Sequence, residues 1–109
     1  MKMEYPENLA SKRRELVAVA KAMLAGEANL LEGVRLICAL RFAVEPPDKE
    51  IFLTFQAVDS ETDHFPLGAT RALCSQEYLK RSDEEMQAYL MSARDGIIQA
   101  CREIVETFS

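Results

Sequence analysis

The last quarter of this 109-residue chain places its apolar residues at helical spacing for longer than any other stretch does. Met86, Leu90, Ala93, Ile97, Ala100, Cys101, Ile104 and Phe108 hold one stripe over roughly six turns, about 33 Å at the standard rise. A stripe of that length demands other helices to cover it, so the pattern predicts an all-α fold, a compact bundle of about five helices with a long C-terminal helix. Ser82 and Glu85 have the spacing of a capping box and predict the start of that helix. Gly96 predicts a weak point on it, or a place of close helix–helix approach.

Upstream, the punctuation is clear. Leu9, Leu16, Val17, Ala20, Met23 and Leu24 form one face of a helix over 9–25, with Asn8 as its N-cap and Gly26 as its stop. Residues 1–7 are expected to be a loosely ordered N-terminal segment of a single 1–109 domain. A second helix is expected over 29–44. Its apolar residues cover much of its circumference, which predicts a central position, and Pro46-Pro47 ends it. Residues 48–59 combine strand propensity at Ile51 to Phe55 with helical spacing of Ile51, Phe52, Phe55 and Val58. The spacing favours a helix capped by Asp48. A polar loop over 60–68 and a short helix over 69–80 complete the reading.

Composition narrows the function classes. The three cysteines, Cys38, Cys74 and Cys101, are odd in number and far apart, which predicts buried free thiols in a reducing compartment. The N-terminus lacks the apolar core of a secretory signal, and no apolar run is long enough to cross a bilayer. A soluble, cytoplasmic protein is expected. Net charge is −5, all of it in residues 51–109. That balance argues against nucleic acid and membrane as partners and leaves a protein partner or self-association. Lys12, Arg13, Arg14 and Lys21 make one cationic helix side, a solvated face or a contact for acidic protein or RNA.

One segment gathers chemistry. Ser60, Glu61, Asp63 and His64, with Arg71 a turn beyond the loop, bring together a hydroxyl, two carboxylates, the chain's one histidine and a guanidinium. These are the types needed for general acid–base work or one edge of a metal site. Glu61, Asp63 and His64 are the catalytic candidates. The wider set of five is a binding candidate, or a lock that ties the connector to the next helix through Arg71. Cys74 lies ten residues from His64, within reach of a Cys–His pair. Cysteine spacing offers no metal-binding knuckle, and no glycine-rich phosphate cradle exists, so no cofactor and no metal are expected.

The segment Ser60-Glu61-Thr62-Asp63-His64-Phe65-Pro66-Leu67-Gly68, followed by Arg71, resembles a signature of short bacterial helical proteins of uncharacterised function. In size and acidity the chain is also similar to toxin-neutralising immunity proteins. The resemblance implies a helical frame and brings no catalytic residues. From the residues, the preferred expectation is a non-enzymatic protein-interaction module, with homodimer formation possible through the long helix. The alternative is a small hydrolase or metal-dependent enzyme in which Glu61, Asp63, His64 and Arg71 converge.

Overall fold

The computed structural model describes residues 5–44 and 50–108. Its helices are α1 (Tyr5–Leu24), α2 (Leu30–Leu40), α3 (Leu53–Glu61) and α4 (Gln76–Phe108). A 3-10 turn at Glu50–Phe52 leads directly into α3, and a separate 3-10 segment spans Gly68–Leu73. Counting the turn with α3, the described residues form five helical bodies, and they contain no strand. The 33 residues of α4 extend about 50 Å at the standard rise and account for the 51 Å long axis of the molecule.

The helix pair α1–α4 is the spine. Cys101 Sγ lies 3.8 Å from Met23 Sδ, and the Arg13 guanidinium sits over the Phe108 ring. Position therefore falls along α1 as it rises along α4, and the two run antiparallel. Leu16, Ala20 and Met23 from α1 meet Ile97, Ala100, Cys101 and Ile104 from α4, all buried. Leu31, Val34 and Ile37 close the core from α2, and Phe52, Phe55 and Val58 from the α3 segment. The buried thiol of Cys101 is pushed up to about 11 by desolvation, as that of an inert core cysteine should be.

Local chemistry explains most boundaries. The N–H of Gly26, at φ 77°, donates to the Met23 carbonyl, and that of Glu27 to the Ala22 carbonyl. This is a Schellman stop, which favours glycine at the left-handed position. Asn29 caps α2, its Oδ1 accepting the Glu32 N–H at 3.0 Å.

Several boundaries differ from expectation. α1 starts at Tyr5, so residues 5–7 are helical and Asn8 lies inside the helix rather than at its cap. Pro6 falls in the first turn, where a missing N–H costs nothing. α2 stops at Leu40, four residues early. Pro46-Pro47 and Asp48 lie outside the described residues. The helix expected over 69–80 is divided, because Cys74 is extended (φ −104°, ψ 150°).

α4 consequently begins at Gln76 and not near Ser82. Ser75 is its cap: the hydroxyl accepts the Tyr78 N–H at 3.1 Å and the carbonyl accepts the Leu79 N–H at 3.0 Å. Ser82 is an interior residue, 4 % exposed, and its hydroxyl finds no hydrogen-bond partner among the described residues. A capping serine changed to alanine costs about 0.5–2 kcal/mol. Ser82→Ala should do the reverse, since it removes an unsatisfied buried hydroxyl and adds helix propensity. Chemical denaturation should show unchanged or higher stability, and a loss of 1 kcal/mol or more would restore the capping role.

Gly96 is not a point of close approach, for a Cβ built there meets nothing within 4 Å. The close approach is at Gly33 of α2, where a Cβ would run into the Met23 side chain. Gly96→Ala should therefore raise stability by about 0.5–1 kcal/mol, the usual difference in an open helix interior. A lowered melting temperature would show that the α4 backbone there is hidden by something else.

Candidate functional site

The 60–71 segment begins inside α3. Ser60 and Glu61 are its last two residues, both exposed, so Ser60 opens no turn. Thr62 ends the helix. It is completely buried, and its hydroxyl donates to the Val58 carbonyl at 2.6 Å. The carbonyl of Thr62 accepts from Arg35 Nη2 of α2, whose Nε lies 3.7 Å from Asp59 Oδ1. Arg35 thus joins α2 to the end of α3 and fixes where the chain turns.

Beyond Thr62 the chain exposes Asp63 and His64 and buries Phe65 and Pro66. The His64 ring lies 4.1 Å from that of Phe65, centroid to centroid. Asp63 and His64 line a cleft of about 250 Å³ together with Arg35, Thr70, Cys74 and Tyr78. The imidazole and the Cys74 thiol therefore share a cleft, but the thiol donates to the Thr70 carbonyl at 3.6 Å. Among the described residues, no three His, Cys, Asp or Glu side chains gather as a metal site would require.

Two of the expected members point elsewhere. Arg71 forms a forked pair with Asp83 of α4, Nη1 to Oδ1 at 2.9 Å and Nη2 to Oδ2 at 2.8 Å, and also donates to the Pro66 carbonyl at 3.4 Å. Its partner is not Glu61 or Asp63. The pair is about one-third exposed, and the hydrogen bond from Arg71 holds the Asp83 carboxyl below its ordinary value. Glu61 accepts a hydrogen bond from the Tyr89 hydroxyl, 28 residues away on α4. The segment is thus braced at three places, by Arg35, Asp83 and Tyr89. Asp63 and His64 remain at the cleft, while Glu61 and Arg71 act as struts.

Desolvation first, and then the hydrogen bond to Glu61, push the Tyr89 phenol up to about 12. A folded value above the unfolded one means that this group supports the fold fully below pH 10. Its support is lost as the pH rises toward 12. Absorbance at 295 nm should show one of the three tyrosines ionising well after the ordinary value, and Glu61→Gln should bring it down. A single transition near pH 10 for all three would remove the Tyr89–Glu61 strut from the account.

Of the residues that matter here, Arg35, Asp83 and Tyr89 were not marked by any sequence pattern. Each is a charged or polar residue at a helix position where solvation would be the ordinary reading. Fold and cleft together define a small all-α bundle with a braced polar turn. No family model matches the chain, and no curated protein and no solved structure matches it either. The site is therefore described by its own geometry. Among the described residues no helix is long and apolar enough to cross a membrane.

Proposed function

We propose that the protein is a non-enzymatic protein-interaction module, and that its first partner is a second copy of itself. The observation that carries this reading is the outer side of α2. Its sequence is apolar around most of its circumference, which would suit a central helix, yet the described residues cover only the side bearing Leu31, Val34 and Ile37. Leu36 is left 54 % exposed and Phe42, just past the helix end, 69 %.

Leu36 and Phe42 have apolar neighbours. Phe42 and Ala39 line a shallow groove of about 400 Å³ with Gln56 of α3. Leu36 lies one turn before Ala39, and Leu53, 56 % exposed, lies one turn before Gln56. The groove carries Arg35 and Arg41 as well as Asp59. Arg35 and Asp59 pair with each other at the groove, so the apolar groups are the surface that a two-fold contact would bury. A modest apolar patch of this kind fits a weak, reversible dimer rather than an obligate one. The bracing of Glu61 and Arg71 away from the cleft also favours interaction over catalysis.

Sedimentation equilibrium over a wide concentration range tests the reading. Wild type should show monomer–dimer exchange, and Leu36→Glu/Phe42→Glu should be a folded monomer by circular dichroism. A wild-type protein that stays monomeric at millimolar concentration would refute self-association. Turnover of a small molecule that is lost on changing His64 would refute the non-enzymatic reading.

A further inference from the structure

The cationic side of α1 borders a groove that shares no residue with the α2–α3 groove. Its four basic residues are in different situations. Lys12 pairs with Glu15 on its own helix at 3.4 Å, and the Arg13 guanidinium lies 5.5 Å from the centre of the Phe108 ring. Arg14 and Lys21 are exposed and have no ion-pair partner among the described residues. Seven residues separate them, so they stand two turns or about 10.5 Å apart along one side of the helix.

Between and beside them lies an apolar floor. Val17, Ala18 and Phe108 complete, with Arg14 and Lys21, a groove of about 430 Å³ between α1 and the C-terminal end of α4. Phe108 is anchored from behind, its ring 6.0 Å from that of core residue Phe52. On a chain of net charge −5, this is a local inversion of sign around an apolar channel.

We infer that the α1–α4 groove is a docking site for an acidic amphipathic helix of a partner protein, with apolar side chains against Val17, Ala18 and Phe108 and carboxylates against Arg14 and Lys21. The spacing supports a helix. Two acidic residues seven apart on such a partner are also separated by about 10.5 Å, so a single helix laid along α1 satisfies both cations while its apolar stripe fills the floor. A nucleic acid is the poorer match, because it has no apolar stripe for the floor. A fatty acid carries one carboxylate and would leave one cation unmatched.

The inference concerns a different face from the proposed self-association surface, and the two fail separately. The probe is a labelled synthetic amphipathic helix with leucines on one face and glutamates at its flanks. Its control is the same peptide with lysines in place of the glutamates, and both are followed by fluorescence anisotropy. Wild type should bind the acidic peptide and not the basic one. Affinity should fall at least about tenfold between low salt and a few tenths molar, where screening shortens the reach of exposed charges. Arg14→Glu/Lys21→Glu alters only exposed side chains. It should keep its circular dichroism spectrum and lose binding at least about tenfold, whereas Leu36→Glu/Phe42→Glu should bind as wild type does. Equal binding of both peptides, absence of binding at about millimolar protein, or loss of binding in the α2–α3 variant would each overturn the inference. Binding of laurate to the groove in a protein that ignores the acidic peptide would assign it to a lipid carboxylate and overturn it as well.

Discussion

Phe52→Ala should lower stability by about 3–5 kcal/mol, the largest single loss expected in the molecule. Phe52 is completely buried at the junction of the 3-10 turn and α3, with its ring 6.0 Å from that of Phe108 at the far end of α4. Truncation removes the transfer free energy of an aromatic ring and leaves a cavity between the α3 segment and α4. The backbone there is fixed by the short 3-10 turn, so collapse around the void is restricted. Domains of this size have about 5–15 kcal/mol in total, and each kcal/mol moves the melting midpoint by about 4–8 °C. A fall of more than 10 °C is expected by calorimetry. Leu53→Ala, one residue along but 56 % exposed, should leave the monomer within about 0.5 kcal/mol of wild type. Similar losses for the two would mean that the α3 segment is not docked as described.

Arg35→Ala should cost about 1.5–3 kcal/mol, the range for a hydrogen bond from a charged donor to a buried acceptor. Its side chain is 30 % exposed, and it supplies a donor to the carbonyl of Thr62, a residue with no exposure at all. The variant leaves that carbonyl without its charged donor and also releases Asp59. Arg35→Lys should recover only part of the loss. An ammonium on a flexible stem does not reproduce the guanidinium fork that reaches Thr62 and faces Asp59 together. Urea denaturation of the two variants against wild type reads this directly. Full recovery by lysine would mean that the charge alone matters and not the fork.

The helical frame was legible because its signals are local. Glycine at 26 acts within one turn and the apolar stripe of the final helix repeats from turn to turn, and the structure uses both as expected. The start of α4 was not legible. Ser75 and Ser82 both precede helix-forming sequence, and Ser82 has the better capping partner at Glu85. What separates them is tertiary: the chain buries Ser82, while the extended Cys74 leaves Ser75 free to cap.

The candidate site was legible only in part, for a related reason. Asp63 and His64 do reach a common cleft. The contacts that position them link residues 12, 27 and 28 apart, Arg71 to Asp83, Arg35 to Thr62 and Tyr89 to Glu61. Separations of that length carry no periodicity, and a charged residue on a helix face looks the same whether it meets water or a distant carbonyl. The apolar circumference of α2 was visible, but its meaning changed. It marks a helix that the described residues cover on one side, the side bearing Leu31, Val34 and Ile37.

A dilution series followed by amide chemical shifts measures the opposite side of that helix most directly. Concentration-dependent shifts should be confined to Leu36, Ala39, Phe42, Leu53, Gln56 and their immediate neighbours, and should vanish in Leu36→Glu/Phe42→Glu. Spectra that do not change from micromolar to millimolar protein, or that change along α4 instead, would contradict the assignment of the α2–α3 face as the working surface of this molecule.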